Sequence, residues 1–256
     1  MAQAASLAGS NEEKISRFDV HQIIQHAGLM VSFVILVFTG LPLKFHDWAI
    51  SQWWVGVWGG IEVTRTAHIA AAWIMLAVCL YHVFYLLYTI LVKKKPFPVK
   101  IIPGPSDFRE YYQEMAYYLG FRKTRPLVDR FSWKEKFDYW AIFWGMPVMF
   151  ISGFIMMYPV FVTKFLPGWF VSAALVAHSD EAMLALVWIV LVHIFFNHFT
   201  PGHLPLNTSI FTGKVNVKKY REEHALEYER MTGKPVVEKP VEGVPPGQVN
   251  LPDGKM

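Results

Sequence analysis

Cysteine is nearly absent from the 256-residue sequence, which contains Cys79 and no other. A single thiol cannot close an intramolecular disulfide, and it cannot supply the thiolates that hold an iron–sulfur cluster. It also excludes covalent haem attachment through a Cys-x-x-Cys-His motif. Ten histidines are present, so imidazole is the side chain available in number. We therefore expect a metal or haem bound to this chain to be held non-covalently through histidine.

Charged residues are also scarce, at 17% of the chain, whereas hydrophobic residues make up 54%. The mean hydropathy is +0.28, and this composition indicates a membrane protein. Residues 1–20 have no apolar core of the length found in a secretory signal peptide. We therefore expect the first membrane span to act as its own insertion signal.

Four apolar runs are each long enough to cross a bilayer, which takes about 20 residues of α-helix. They cover about residues 23–43, 67–92, 137–162 and 169–199. The predicted fold class is an all-α membrane protein, a four-helix transmembrane bundle over residues 21–203. The predicted remainder is an N-terminal segment (1–20), a loop between the second and third spans (93–136) and a C-terminal tail (204–256).

The basic residues are distributed unevenly between the two sides of the predicted bundle. The loop after the second span holds eleven Lys and Arg residues between Lys93 and Lys136, whereas the connector before the fourth span holds only Lys164. Basic residues accumulate on the cytoplasmic side of a membrane protein. Both termini and the long loop are therefore predicted to be cytoplasmic, with short loops on the outer side.

Histidines in the fourth span share one face of the predicted helix. His178 and His193 are fifteen positions apart, which corresponds to about 22 Å along an α-helix and about 60° around its axis. An apolar span gains nothing from bare imidazoles, so their presence indicates a functional site.

The histidines of the other spans fall at matching depths. The second span runs in the same direction as the fourth, so His68 lies at the outer depth of His178. His82, fourteen residues later, lies at the inner depth of His193, and His26 near the inner end of the first span competes with it. A low-spin b-type haem takes two axial imidazoles. The pattern predicts two haem b groups, with the inner partner open between His26 and His82.

Other residues in or near the spans are candidates for contacts with the cofactors. Arg65 is a candidate partner of a haem propionate, although an interfacial arginine is the more ordinary interpretation. Asn197 and His198 are candidates for hydrogen bonds to a quinone carbonyl. Glycines would admit either a flat macrocycle or a neighbouring helix, and those within the spans are Gly28, Gly40, Gly145 and Gly153.

Over about residues 15–220 the sequence resembles the cytochrome b (gamma) subunits of membrane-bound formate dehydrogenases and nickel–iron hydrogenases. The likeness consists of a first-helix histidine before a small-Gly pair, an Arg-x-x-His opening of the second helix, and two widely spaced histidines in the fourth. These features fall on His26 with Thr39-Gly40, on Arg65 with His68, and on His178 with His193.

The resemblance implies that His68 and His178 bind the outer haem, and that His26 and His193 bind the inner one. The sequence departs from this pattern by also containing His82. The cytochrome b of quinol-oxidising bc-type complexes is similar in another way, because it places paired histidines on its second and fourth helices. That pattern would make His82 the inner ligand, so the choice stays open at this point.

The resemblance and the layered histidines together lead us to expect a dihaem b-type cytochrome. It would anchor a respiratory complex in the prokaryotic inner membrane and carry electrons between a periplasmic-side partner and the quinone pool. The partner would be an iron–sulfur or multihaem cytochrome c subunit, and the quinone would be menaquinone or ubiquinone. We expect no catalytic residue and no nucleic-acid partner, because the outward loops are too short for a catalytic centre.

A second interpretation comes from the spacing of His21 and His26, and of His193 and His198. Membrane di-iron desaturases and hydroxylases place histidine boxes at such intervals on the cytoplasmic side. They also need adjacent histidine pairs, and this sequence has none. Because the intervals match but the adjacent pairs are missing, an oxygenase of this kind is the alternative function and not the main one.

Overall fold

The computed structural model describes residues 14–199 and 207–233, so His203 and parts of the predicted terminal segments (1–20 and 204–256) lie outside the described residues. In chain order the helices are α1 (Val20–Lys44), α2 (Ala49–Val57), α3 (Ile61–Leu91), α4 (Pro105–Tyr118), α5 (Trp133–Met157), α6 (Pro159–Val162), α7 (Trp169–Trp188), α8 (Ser209–Thr212), α9 (Val217–Glu223) and α10 (Ala225–Thr232). A 3₁₀ turn covers Val99–Ile101, and two short strands, β1 (Lys14–Ser16) and β2 (Lys214–Asn216), pair with each other.

Among residues 14–199 and 207–233, four helices are long and apolar enough to cross a membrane: α1, α3, α5 and α7 with its continuation to Phe199. Their apolar side chains are largely exposed, as with Leu91 at 69% and Trp144 at 74%. Such exposure suits helices whose surroundings are lipid, because lipid chains are as apolar as the side chains themselves. The prediction of an all-α membrane bundle with four spans is confirmed.

The first spanning helix begins and ends at residues suited to those positions. Asp19 accepts a hydrogen bond from the backbone of Gln22, whose side chain in turn accepts one from the backbone of Asp19, forming a capping box. Lys44 lies in the last turn, where a positive charge complements the helix dipole. The most buried side chains of α1 are polar: Gln25, Ser32 and Thr39 are at most 4% exposed.

The second spanning helix packs against the first. It starts at Ile61, after Gly59 and Gly60, whose φ angles of 90° and 105° favour glycine. An added Cβ at Gly28 of α1 would lie 2.8 Å from a methyl of Val78 in α3. The lack of a side chain at Gly28 therefore lets these two helices approach closely.

The third spanning helix begins and ends earlier than the predicted span of residues 137–162, because α5 runs from Trp133 to Met157. Tyr158 has φ −125° and ψ 53°, outside the helical region, and it precedes Pro159. Proline disfavours the helical conformation in the residue before it, so the chain breaks there and resumes as the short α6.

The fourth spanning helix changes its winding part of the way along. It is α-helical from Trp169 to Trp188 and then follows a wider π-helical path over Ile189–Phe199. The α-helical angles and rise predicted from the sequence therefore do not apply beyond Trp188. Wide π-type turns occur often at functional sites, and this one contains His193, Asn197 and His198.

The described chain divides into two compact units. One contains residues 14–99, 137–199 and 207–215, and the other contains residues 100–136 and 216–233. The first includes almost all residues of the four spanning helices.

The second unit is held together by ion pairs and by backbone contacts between its two segments. Lys136 pairs with Asp107 at 2.6 Å, and Arg130 pairs with Glu227 at 2.8 Å. Burial alone would raise the pKa of Asp129, but hydrogen bonds to it, led by that from Arg230, lower the pKa to about 2. The long loop and the start of the tail therefore fold together.

Candidate functional site

His68 of α3 and His178 of α7 form a pair, named the outer pair after its depth predicted from the sequence, with ring centroids 6.3 Å apart and planes inclined by 63°. A metal–imidazole nitrogen bond is about 2 Å, and the ring centre lies about 1 Å behind the nitrogen, so two imidazoles on opposite sides of one metal ion have centroids about 6 Å apart. The outer pair therefore has the separation of two axial ligands. The sequence predicted that these two residues would meet.

A hydroxyl group on a neighbouring helix orients each ring of the outer pair. Thr39 Oγ1 lies 2.9 Å from His68 Nδ1 and donates its own proton to the carbonyl of Ile35 at 2.7 Å. A hydroxyl has one proton, so toward His68 it can only accept. The hydrogen bond is therefore donated by His68 Nδ1–H, which leaves a lone pair on Nε2 for an iron.

The same arrangement recurs at the other half of the outer pair. Ser152 Oγ lies 3.0 Å from His178 Nδ1 and donates to the carbonyl of Val148 on its own helix. The carbonyl of Met149 lies 3.1 Å from the same Nδ1 and can only accept. His178 is thus also held with its proton on Nδ1 and its Nε2 available as a ligand.

A glycine follows each of these hydroxyl residues and faces the same imidazole. An added Cβ at Gly40 would lie 3.1 Å from His68 Cε1, and one at Gly153 would lie 3.3 Å from His178 Cε1. Both distances are shorter than ordinary van der Waals contact. A hydroxyl–glycine pair opposite a histidine therefore occurs twice; the sequence motifs had included Thr39-Gly40, whereas Gly153 had been named without Ser152.

His26 of α1 and His193 of the π-helical stretch form an inner pair, with centroids 6.2 Å apart and planes inclined by 28°. This separation matches that of the outer pair and of two ligands on one metal ion. The helical pattern had left His26 and His82 as competing partners of His193, and the structure brings His26 to it.

A carboxylate orients one imidazole of the inner pair. Asp138 Oδ2 accepts a hydrogen bond from His193 Nδ1 at 2.7 Å, and its Oδ1 accepts one from Trp188 Nε1 at 2.6 Å. An ionised carboxylate only accepts, so His193 also keeps its proton on Nδ1. Sequence reasoning missed Asp138, whose only signal was a carboxylate near the start of an apolar run.

His82 lies in a separate polar group in the same part of the bundle. Its Nδ1 is 2.8 Å from Gln25 Oε1, and its Nε2 is 3.2 Å from the hydroxyl of Tyr139. Both ring nitrogens are therefore engaged by protein atoms. Gln25 precedes His26 in the chain, and Tyr139 follows Asp138, so this polar group borders the inner pair.

The remaining predicted residues lie in different places. The side chain of Arg65 is 63% exposed, with Glu62 at 4.0 Å. Asn197 Nδ2 donates to the carbonyl of His193 at 2.7 Å and so lies beside the inner pair. His198, the next residue, is half-buried.

The donor set fits haem better than a multinuclear metal centre. Each pair offers two imidazoles at ligand spacing, and glycines at the outer pair leave room where a Cβ would be crowded. Within residues 14–199 and 207–233, no group of three or more His, Cys, Asp or Glu side chains could hold a metal ion. The described residues therefore offer no support for the di-iron alternative.

A protein family matches most of the chain. The family described as prokaryotic cytochrome b561 matches residues 17–202, which include all four spanning helices and both histidine pairs. No curated protein matches the chain. The likeness to a cytochrome b family that the sequence motifs indicated is confirmed.

Proposed function

We propose that this chain, which belongs to the prokaryotic cytochrome b561 family, is a dihaem b-type cytochrome. Membership makes the protein a multi-pass membrane cytochrome that binds haem b and acts in electron transfer. The finer proposal is that it holds two haem b groups, one at each histidine pair. The observation that carries it is the spacing of the two imidazole pairs, 6.3 Å and 6.2 Å between centroids.

The assignment of ligands follows from the hydrogen bonds. His68 and His178 would hold the outer haem, and His26 and His193 the inner one. His68, His178 and His193 each commit Nδ1 to a protein acceptor, which leaves Nε2 for the iron. His82 is a poor candidate, because a ligating Nε2 would have to give up its contact with Tyr139.

The two sites are well separated along the bundle. His26 and Thr39, which contacts His68, are thirteen residues apart on α1, and this corresponds to about 20 Å along the helix axis. Bound haem supplies one-electron iron chemistry at each site. The imidazoles would hold the two groups at different depths of the spans, surrounded by apolar helices.

The route of electrons would connect the two faces of the membrane. In this proposal the chain anchors a respiratory complex in the prokaryotic inner membrane, with a redox partner at the outer face. That partner would be an iron–sulfur or multihaem cytochrome c subunit. Quinone, either menaquinone or ubiquinone, would react near the inner haem, where Asn197 and His198 are candidate contacts.

Haem content tests the proposal directly. The purified protein is expected to show a b-type α band in its reduced-minus-oxidised spectrum and two haems per chain by the pyridine haemochrome assay. His26→Ala should reduce the ratio to one, and His82→Ala should leave it at two. Absence of the α band would reject the cytochrome assignment and favour the oxygenase. Loss of a haem in His82→Ala alone would move the inner ligand to His82.

A further inference from the structure

The carboxylate of Asp138 lies in a spanning helix, and an imidazole rather than a Lys or Arg accompanies it. It is the sixth residue of α5, and its side chain is 19% exposed. Among the described residues, His193 is the ionisable group that pairs with it. A carboxylate that is largely buried is costly unless its partners hold it, so its presence indicates a role.

Two donors fix the orientation of this carboxylate. The indole of Trp188 bonds to Oδ1, which directs Oδ2 to His193. Phe137 packs on the indole ring, with centroids 4.2 Å apart. The carboxylate is thus held by one side chain and aimed at another, as a positioning group must be.

The outer pair has nothing comparable on its imidazoles. Their Nδ1 atoms face the hydroxyls of Thr39 and Ser152 and the carbonyl of Met149, all of which are neutral. The two pairs therefore have similar ring spacing but differ by one full negative charge on the far side of a ligand.

We propose that Asp138 is a positioning residue that lowers the reduction potential of the inner haem by giving His193 imidazolate character. The inference rests on the proposed function, because it requires a haem at the inner pair. A carboxylate that accepts a hydrogen bond from Nδ1–H makes the imidazole a stronger electron donor to an iron at Nε2. Ferric haem carries one more positive charge than ferrous haem, so a nearby anion in a region of low dielectric favours the ferric state.

The proposal sets the order of the reduction potentials of the two haem sites. The outer site, supported by neutral acceptors, would hold an electron more tightly than the inner site. An electron at the inner haem would therefore be the more reducing of the two. This favours its transfer to an acceptor near that end of the bundle.

A potentiometric titration of the purified full-length protein tests the proposal. Asp138→Asn keeps the size of the side chain and removes its charge. One of the two haem components is expected to shift to a more positive potential, while the other stays in place. His26→Ala, which lacks the inner haem, identifies the component that belongs to the outer site.

Three further variants separate electronic from structural effects. Asp138→Glu keeps the charge, so it should retain both haems and a potential closer to that of the wild type than Asp138→Asn gives. Trp188→Phe keeps the carboxylate but frees it to turn, and a smaller positive shift is expected. Ser152→Ala, at the outer site, should leave the inner component unchanged.

The outcomes distinguish this inference from the proposed function. A wild-type protein without two b-type haems would reject the proposed function itself. Two haems with unchanged potentials in Asp138→Asn would reject the role of Asp138. If Asp138→Asn loses the inner haem, Trp188→Phe decides, because an unshifted inner potential there would overturn the proposal. The low-spin ferric EPR signal of the inner haem should change in step with the potential.

Discussion

The outer and inner histidine pairs have nearly the same ring spacing, yet their surroundings differ. The outer imidazoles donate to hydroxyls and a carbonyl, whereas His193 donates to the carboxylate of Asp138. In the proposed dihaem assignment, spacing follows from the need to place two nitrogens around one iron, so both pairs would share it. The acceptor behind each ring is free to vary, and it can therefore set the properties of each site separately.

The largest expected effect comes from removing one ligand from each pair. His68→Ala and His193→Ala should each lower the haem-to-protein ratio from two to one, because a low-spin b-type haem needs both axial imidazoles. The surviving haem should differ between the two variants in its reduction potential. His46→Ala is the matched control, since that ring is exposed and contacts Asp47. A variant of His68 or His193 that keeps both haems would break the assignment of the pairs.

A smaller effect is expected from the glycines of the outer pair. Gly40→Ala and Gly153→Ala place a Cβ against a ligand ring, and overpacking of this kind costs about 1–3 kcal/mol. The outer haem should be lost more readily on heating, while the inner haem is retained. The absorbance of each haem during a thermal ramp measures this. Gly56→Ala, which meets no neighbouring atom within 4 Å, controls for the change in helix propensity.

The hydroxyl groups of the outer pair should have an effect of similar or smaller size. Thr39→Val and Ser152→Ala each remove an acceptor from a ligand imidazole, a loss of about 1.4 kcal/mol at the upper end of what one neutral hydrogen bond contributes. Haem affinity at the outer site should fall about 10-fold, at the lower end of what outer-shell partners contribute. Dilution of the protein into apomyoglobin and absorbance spectra would measure haem retention.

The matched control for these hydroxyl variants is Ser179→Ala. Its hydroxyl donates to the carbonyl of Val176 on its own helix and to no histidine. If Thr39→Val or Ser152→Ala moved the potential of the outer haem as far as Asp138→Asn moves the inner one, the contrast between neutral and charged support would fail.

The smallest expected effect concerns the group around His82. Tyr139→Phe removes the hydroxyl near His82 Nε2, which should lower stability by about 1 kcal/mol. Both haems should be retained at unchanged potentials, as shown by the haemochrome ratio and a redox titration. Loss of the inner haem in this variant would mean that the polar group belongs to the inner site after all.

The fold and part of the site could be predicted because helical periodicity is reliable in apolar runs. Spacing alone placed His68 opposite His178, and the structure brings them together. Periodicity could not choose between His26 and His82, since both lie at the inner depth. That choice depends on Gln25 and Tyr139, which occupy the nitrogens of His82.

Helical periodicity could not predict two other features of the site, for different physical reasons. The π-helical winding after Trp188 changes which residues share a face of the helix. The stretch Ile189–Phe199 contains no proline or glycine that would predict this change. Asp138 looked like an ordinary residue at the start of a span. Its role depends on the indole of Trp188, fifty residues later in the chain.

Each histidine pair joins the first half of the chain to the second. His68 and His26 come from the hairpin of α1 and α3, whereas His178 and His193 come from the last spanning helix. During synthesis neither pair is complete until that last helix has entered the membrane. In the proposed assignment, cofactor capture would therefore be a late event of biogenesis, and it would fasten together two helical hairpins that were inserted one after the other.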